Sequence, residues 1–313
     1  MSTIRIVSRK SPLARWQAAA VREALCAAHP DLSVEIIGIT TEGDRRLQSR
    51  LADFGGKGLF IKELEQRLLD LSADIAVHSM KDVTTSLPAG LLIPVVMARD
   101  DPRDALLAPG YTSLAALPTG AVIGTSSLRR RCQLSAVRPD LRVKILRGNV
   151  GTRLSRLDAG EYQALVLATA GLHRLSLHER ITTVLETEQM LPAVGQGAIG
   201  VECREDDGEA LALLQSLDDV ATHRAVRAER AVAHRLGAGC HAPLAAHATM
   251  QGGTIMLRGL VGRVDGSEIV ADEAHGSAEA PEDVGYALAE QLLQLGAGKI
   301  LAALGADSTG SQS

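Results

Sequence analysis

The chain has 313 residues, 46% of them apolar and only 2% aromatic, so a large core is built chiefly from Leu, Ala, Val and Ile. A charged fraction of 22% excludes wholesale disorder, and a net charge of −4 excludes general attraction to nucleic acid or anionic lipid; any basic site is local. Cys26, Cys132, Cys203 and Cys240 show no paired spacing, so neither a disulfide framework nor a metal site is indicated.

The first strand is expected at Ile4-Arg5-Ile6-Val7, with no apolar leader before it. No stretch approaches the ~18 apolar residues of a membrane span, so the expectation is a cytoplasmic protein without a membrane partner. After the strand comes the turn Ser8-Arg9-Lys10-Ser11-Pro12 and then the helical run LARWQAAAVREALCAA. Ser11 suits an N-cap, and Pro12 suits the first helical position, where its missing N–H is no loss. Four further units repeat the pattern of apolar run, polar turn and helix. DIAVHS (74–79) leads into Met80-Lys81-Asp82, and AVIG (121–124) into Thr125-Ser126-Ser127 and LRRRCQLSAV. VKILR (143–147) leads into Gly148-Asn149, and ALVLA (164–168) into Thr169-Ala170.

Strands alternating with helices imply βαβ units and mostly parallel sheets, whose ligands bind outside the carboxyl ends of the strands. All the polar turns fall at that end, where helix N-termini add N–H donors suited to anions. A crossover is read at 99–103, and LPAVGQGAIGVECR (191–204) holds an apolar run able to return to the first sheet. Domain 1 is therefore drawn as residues 1–98 with 198–216, and domain 2 as 103–192. Two such lobes joined by two crossovers enclose a cleft and allow hinge motion. From Asp219 the pattern becomes a helix followed by alternating runs, with Gly252-Gly253 and Asp265-Gly266 as hairpin turns. This gives a small α+β domain 3 at 219–304 and a disordered tail at 305–313.

Arginines recur at the strand-end turns: Arg9, Arg129, Arg130, Arg131, Arg147, Arg153 and Arg174. A guanidinium matches a carboxylate in a bidentate fork, so the set suits a substrate with many negative charges. For any single arginine a solvated basic face is an equal reading. Asp82 reads either as a turn aspartate capping a helix or as a carboxylate that steadies a developing cation or moves a proton. Cys240 reads either as a small buried hydrophobe or, after Gly237-Ala238-Gly239, as an accessible thiol. Gly55-Gly56-Lys57-Gly58 lacks Walker spacing; with its surroundings from Thr41 to Phe60 it reads as a lid.

Ten stretches, in order, resemble the porphobilinogen deaminase (hydroxymethylbilane synthase) family: SRKSPLARWQA, TEGDR, GGKGLFIKELE, ADIAVHSMKDV, ARDDPRDA, GTSSLRRRCQL, LRGNVGTRL, ATAGLHRL, LPAVGQGAIGVECR and LGAGCHAP. The resemblance implies two lobes like a periplasmic binding protein plus a third domain. It implies a dipyrromethane cofactor held by a thioether to Cys240 and acting as primer. Four porphobilinogen units are added with loss of ammonia, and water releases hydroxymethylbilane. The family's cleft aspartate falls on Asp82. Its cofactor contacts fall on Lys81, Thr125, Ser126, Ser127, Arg129, Arg130 and Arg147, and its substrate contacts on Arg9, Ser11, Lys57, Arg147, Arg153 and Arg174. The expected partner is porphobilinogen alone, with no nucleic acid, and the expected state is a monomer. Two departures stand out. Ala238 puts a methyl where a glycine with positive φ suits the loop, and Asp53 replaces a lysine found in some relatives.

Two rival readings leave more unexplained. A non-catalytic two-lobed anion-binding protein gives Cys240 and the third domain no role. A cysteine acyl-transfer enzyme using Cys240 and His241 leaves the arginines idle.

Overall fold

A computed structural model describes residues 3–41, 61–239 and 242–309, with side chains from 305 onward outside the description. The chain forms two compact units, residues 1–100 with 197–223 and residues 101–196 with 224–313.

The first unit holds a five-stranded sheet. Its strands are β1 (Thr3–Arg9), β2 (Ser33–Ile39), β3 (Ile75–Ser79), β4 (Leu91–Val96) and β10 (Ile199–Arg204), in the order β2-β1-β3-β10-β4. β1 is parallel to β2 and β3, while β10 is antiparallel to both its neighbours. Four strands thus run one way, and the returning strand is inserted against them. Side chains alternate across β1 and β3, and apolar residues on both faces are covered by helices. Ile4, Ile6, Ile75 and Val77 face α1 (Pro12–Ala28) through Ala18, Val21 and Leu25. Val7 and Ala76 face α2 (Lys62–Leu69) through Leu64 and Leu68.

The second unit repeats the plan. Its strands are β5 (Asp104–Leu107), β6 (Val122–Gly124), β7 (Arg142–Lys144), β8 (Ala164–Ala168) and β9 (Thr183–Leu185), in the order β7-β6-β8-β5-β9. Here β5 is the strand inserted against the rest. α3 (Leu128–Val137) covers one face through Leu134; α4 (Val150–Asp158) and α5 (Thr169–Arg174) cover the other through Leu154, Leu157 and Leu172. The strand expected over 143–147 stops at Lys144. Ile145 is 62% exposed, and its carbonyl accepts the Tyr162 hydroxyl at 3.0 Å instead of extending the ladder.

Residues 219–304, expected as a separate domain, fall largely in this same compact unit. An antiparallel meander of β11 (Leu244–Gln251), β12 (Thr254–Gly262) and β13 (Ile269–Ser277) is covered by α7 (Val220–Arg235), α8 (Pro281–Gln294) and α9 (Ala297–Thr309). α6 (Gly208–Leu214) follows β10 in the first unit. The meander abuts the second lobe: Leu191 packs with Ala245 and Leu260, and the Asp265-Gly266 hairpin closes on Ser135 and Ala136 of α3. The tail expected to be disordered from 305 is helical to Thr309, since one glycine, at ~1 kcal/mol, does not stop a helix. Residues 310–313 lie outside the described residues.

α7 and α8 run side by side in the same direction, with Arg224, Arg227 and Arg235 paired to Glu279, Glu282 and Glu290. Gly285 permits their close approach, because a Cβ there would lie 2.5 Å from Ala231 Cβ and overlap the Ala228 carbonyl oxygen. Gly285→Ala is expected to destabilise the protein by about 1–3 kcal/mol. A urea midpoint equal to that of the parent would refute this packing argument.

Candidate active site

In the first unit, the turns after β1 and β3 emerge side by side, because these strands are parallel neighbours with Val7 opposite Ala76. Ser11 caps α1 by accepting from Ala14 N at 3.4 Å, with Pro12 in the first turn as the sequence suggests. The buried Gln17 side chain donates to Ser79 Oγ at 2.7 Å and ties this helix to the end of β3. A single 3-10 turn, Met80–Asp82, follows; Met80 is buried, and Asp82 is exposed at the carboxyl end of the sheet. Arg9 and Lys81, both half-buried, flank it on the two turns. Asp82, Lys81, Arg9 and Ser11 are therefore brought to one edge of one sheet. Lys57, Asp53 and nearly all of the expected lid lie outside the described residues.

In the second unit, the parallel strands β7, β6 and β8 end at one edge. Thr125 donates its backbone N–H to the Lys144 carbonyl at 3.0 Å, and Ser127 caps α3 by accepting from Arg130 N at 3.4 Å. Asn149 caps α4 by accepting from Thr152 N at 2.9 Å. Arg147 is exposed on that turn, and Arg153 Nε donates to the Gly148 carbonyl at 2.8 Å. Arg174 is buried in the last turn of α5. Thr125, Ser126, Ser127, Arg147 and Arg153 thus gather at one strand-end edge.

Arg129 and Arg130 have a different environment. They are 3% and 6% exposed, and both grip Asp104, which is fully buried. Arg129 Nη1 meets Asp104 Oδ2 at 2.7 Å and also donates to the Leu191 carbonyl at 2.7 Å. Arg130 Nε and Nη2 meet Oδ1 at 3.0 and 2.7 Å, while its Nη1 donates to the Val166 carbonyl at 3.0 Å. Gln196 adds a bond to Asp104 at 3.0 Å, and Gln133 holds both backbone groups of Leu191. Burial pushes the Asp104 carboxyl up, but the two guanidinium groups outweigh it and hold the carboxyl well below the usual carboxylate range.

This cluster answers a problem visible in the sequence, that basic residues at a helix start oppose its dipole. β5 runs against its neighbours, so its first residue, Asp104, lies opposite Ala168 at the carboxyl end of β8. Two guanidinium groups against one carboxylate leave the trio with one net positive charge. Among the described residues, Arg129 Nε and Thr169 Oγ1 are buried without a hydrogen-bond partner. That net charge, with the exposed Arg147 and Ser126 at the strand-end edge of the same sheet, fits a bound polyanion.

Asp104, Gln133 and Gln196 were not among the residues singled out from sequence, although Asp104 stands inside ARDDPRDA. His78 and Glu202, a buried pair at 2.8 Å on β3 and β10, also went unmarked. Among the other cysteines, burial pushes the Cys132 thiol up to about 11 and the Cys203 thiol up to about 12, which leaves both poor nucleophiles. Cys240 and His241 lie outside the described residues. Just before them, Gly237 takes a φ of +60°, while Ala238 has no positive φ and buries its methyl in the core of the meander, so the methyl causes no strain.

Residues 4–212 match the model of the porphobilinogen deaminase dipyromethane cofactor binding domain, and residues 223–294 match that of the porphobilinogen deaminase C-terminal domain. The chain belongs to the porphobilinogen deaminase family. It is a transferase, a hydroxymethylbilane synthase, that condenses four porphobilinogen units stepwise onto a covalent dipyrromethane primer with release of ammonia, then releases hydroxymethylbilane by hydrolysis. Among solved structures, the VFT2 domain of Bordetella pertussis BvgS is similar at 17% identity, covering 69% of this chain and 86% of that one, with a TM-score of 0.41. The periplasmic aliphatic sulphonate binding protein SsuA from Escherichia coli is similar at 14% identity, covering 74% and 70%, with a TM-score of 0.41. Among the described residues, no helix is long and apolar enough to cross a membrane.

Proposed function

We propose that Asp82 is the catalytic carboxylate of this family reaction and that Cys240 carries the primer. The observation that carries this reading is the exposed Asp82 at the carboxyl end of β3, level with Arg9 and Ser11 on the neighbouring turn. Each pyrrole brings two carboxylates, and crowding them without counter-ions is prohibitive. Lys81, Thr125, Ser126, Ser127, Arg129, Arg130 and Arg147 hold the cofactor's acid groups. Arg9, Ser11, Lys57, Arg147, Arg153 and Arg174 hold those of the substrate. Arg129 and Arg130 act chiefly through the net charge they retain after Asp104 is satisfied.

The bound dipyrromethane supplies a nucleophilic pyrrole carbon on a covalent tether. When the substrate's aminomethyl C–N bond breaks, ammonia departs and the ring is left electron-poor, with charge on its N–H. The Asp82 carboxylate accepts that N–H and stabilises the cation where it forms. Asp82 then serves each round from one fixed place. The enzyme works as a cytoplasmic monomer.

Intact-mass measurement of the protein as isolated tests the reading. An added mass of two pyrrole units, mapped to the peptide containing Cys240, is expected. An unmodified mass in active enzyme, or the adduct on another peptide, would overturn it.

A further inference from the structure

We propose that Gly200 is a positioning residue for Asp82: the side chain it lacks leaves the seat on which the Met80 sulfur rests, and that seat sets where the turn bearing Asp82 stands. This rests on the reading of Asp82 given above.

The contact is local to the first unit. β10 pairs with β3 so that Gly200 lies opposite His78, and Ile199 opposite Ser79. One residue on, Met80 N donates to the Ala198 carbonyl at 3.0 Å, so the chain enters the Met80–Asp82 turn pinned to β10. The Met80 side chain folds back over Gly200. A Cβ at position 200 would overlap the Met80 sulfur and lie 3.3 Å from its Cγ, with Ile93 Cγ2 at 3.2 Å on another side.

Two features prevent easy relief. Met80 is 2% exposed, so its sulfur has no solvent to swing into. The His78 Nε2–Glu202 Oε2 pair, buried on the same two strands at 2.8 Å, resists any slide of β3 along β10. A methyl at 200 therefore displaces the Met80 side chain within this closed space, and Asp82 is only two residues further along the same turn. A shift of about 1 Å at a reacting group is enough to cost on the order of a hundred-fold in rate. The expected damage is thus to turnover rather than to substrate binding, whose cations stand on other turns.

The test uses purified holoenzyme of the parent, Gly200→Ala, Gly200→Ala with Met80→Ala, and Asp82→Asn. Gly200→Ala is expected to keep the dipyrromethane mass and to lose roughly ten- to hundred-fold in kcat. Its KM should stay within about twofold of the parent's. The double variant, in which the new methyl enters space vacated by the thioether, is expected to recover part of the lost kcat, about threefold or more over Gly200→Ala, a non-additivity that contacting residues show. Parental kcat in Gly200→Ala, loss of its cofactor mass, or a double variant as slow as the single one would each overturn the proposal. A fully active Asp82→Asn removes the reading of Asp82 itself. A fully active Gly200→Ala beside an inactive Asp82→Asn removes the seat alone.

Discussion

Asp82→Asn is expected to retain fold and cofactor but to lose roughly two to three orders of magnitude in kcat, as when a preorganised group facing developing charge is removed. The substitution keeps the shape and one accepting oxygen, and it removes the negative charge. At an effective dielectric near 20 and a separation of ~4 Å, that charge is worth roughly 4 kcal/mol to a cation. Asp82 is exposed in the free protein, which lowers the figure until substrate covers it. Because the cation develops only as ammonia leaves, the loss should fall on kcat and leave KM largely unchanged. Near-normal steady-state turnover would take Asp82 out of the mechanism.

Asp104→Asn is expected to destabilise the protein by about 3–5 kcal/mol, the usual penalty for leaving a buried charge without its partner. The carboxylate receives four hydrogen bonds, from Arg129, Arg130 and Gln196, and an amide nitrogen placed among those donors would repel them. The pH dependence follows from the same contacts. Folding lowers the pKa of Asp104, so its contribution is fully present above the unfolded-state value of about 3.9 and fades as pH falls below it. Between about pH 5 and pH 2 the parent should therefore lose more stability than the variant, and the gap between the two should narrow. Urea midpoints across that range check both statements. A variant as stable as the parent at pH 7 would show that Arg129 and Arg130 do not depend on Asp104.

Much of the local structure was legible before any coordinates. Ser11 before Pro12 marks the start of a helix, and Asp265-Gly266 between alternating runs marks a hairpin; both depend on atoms within a few residues. The ten family motifs identified the family, and the arginine-rich turns marked the edge of each sheet at which Arg9, Asp82, Arg147 and Arg153 stand. The end of β7 at Lys144 was not legible, because VKILR has strand composition throughout and the ladder stops only where Tyr162 takes the Ile145 carbonyl.

By itself, then, the sequence determined most of the repeated strand–turn–helix units, the Ser11 cap and the family, although the turn after β3 is followed by a single 3-10 turn and not by a helix. Only tertiary structure decided which charges meet. Asp104 reaches Arg129 and Arg130 because β5 is inserted antiparallel, which brings its first residue to the carboxyl end of β8. Gly200 reaches Met80 because β10 returns from more than a hundred residues away to lie beside β3. Caps and turns are short-range and leave a local signature. Ion pairs and close-packed seats are set by strand order, which no stretch of neighbouring residues encodes.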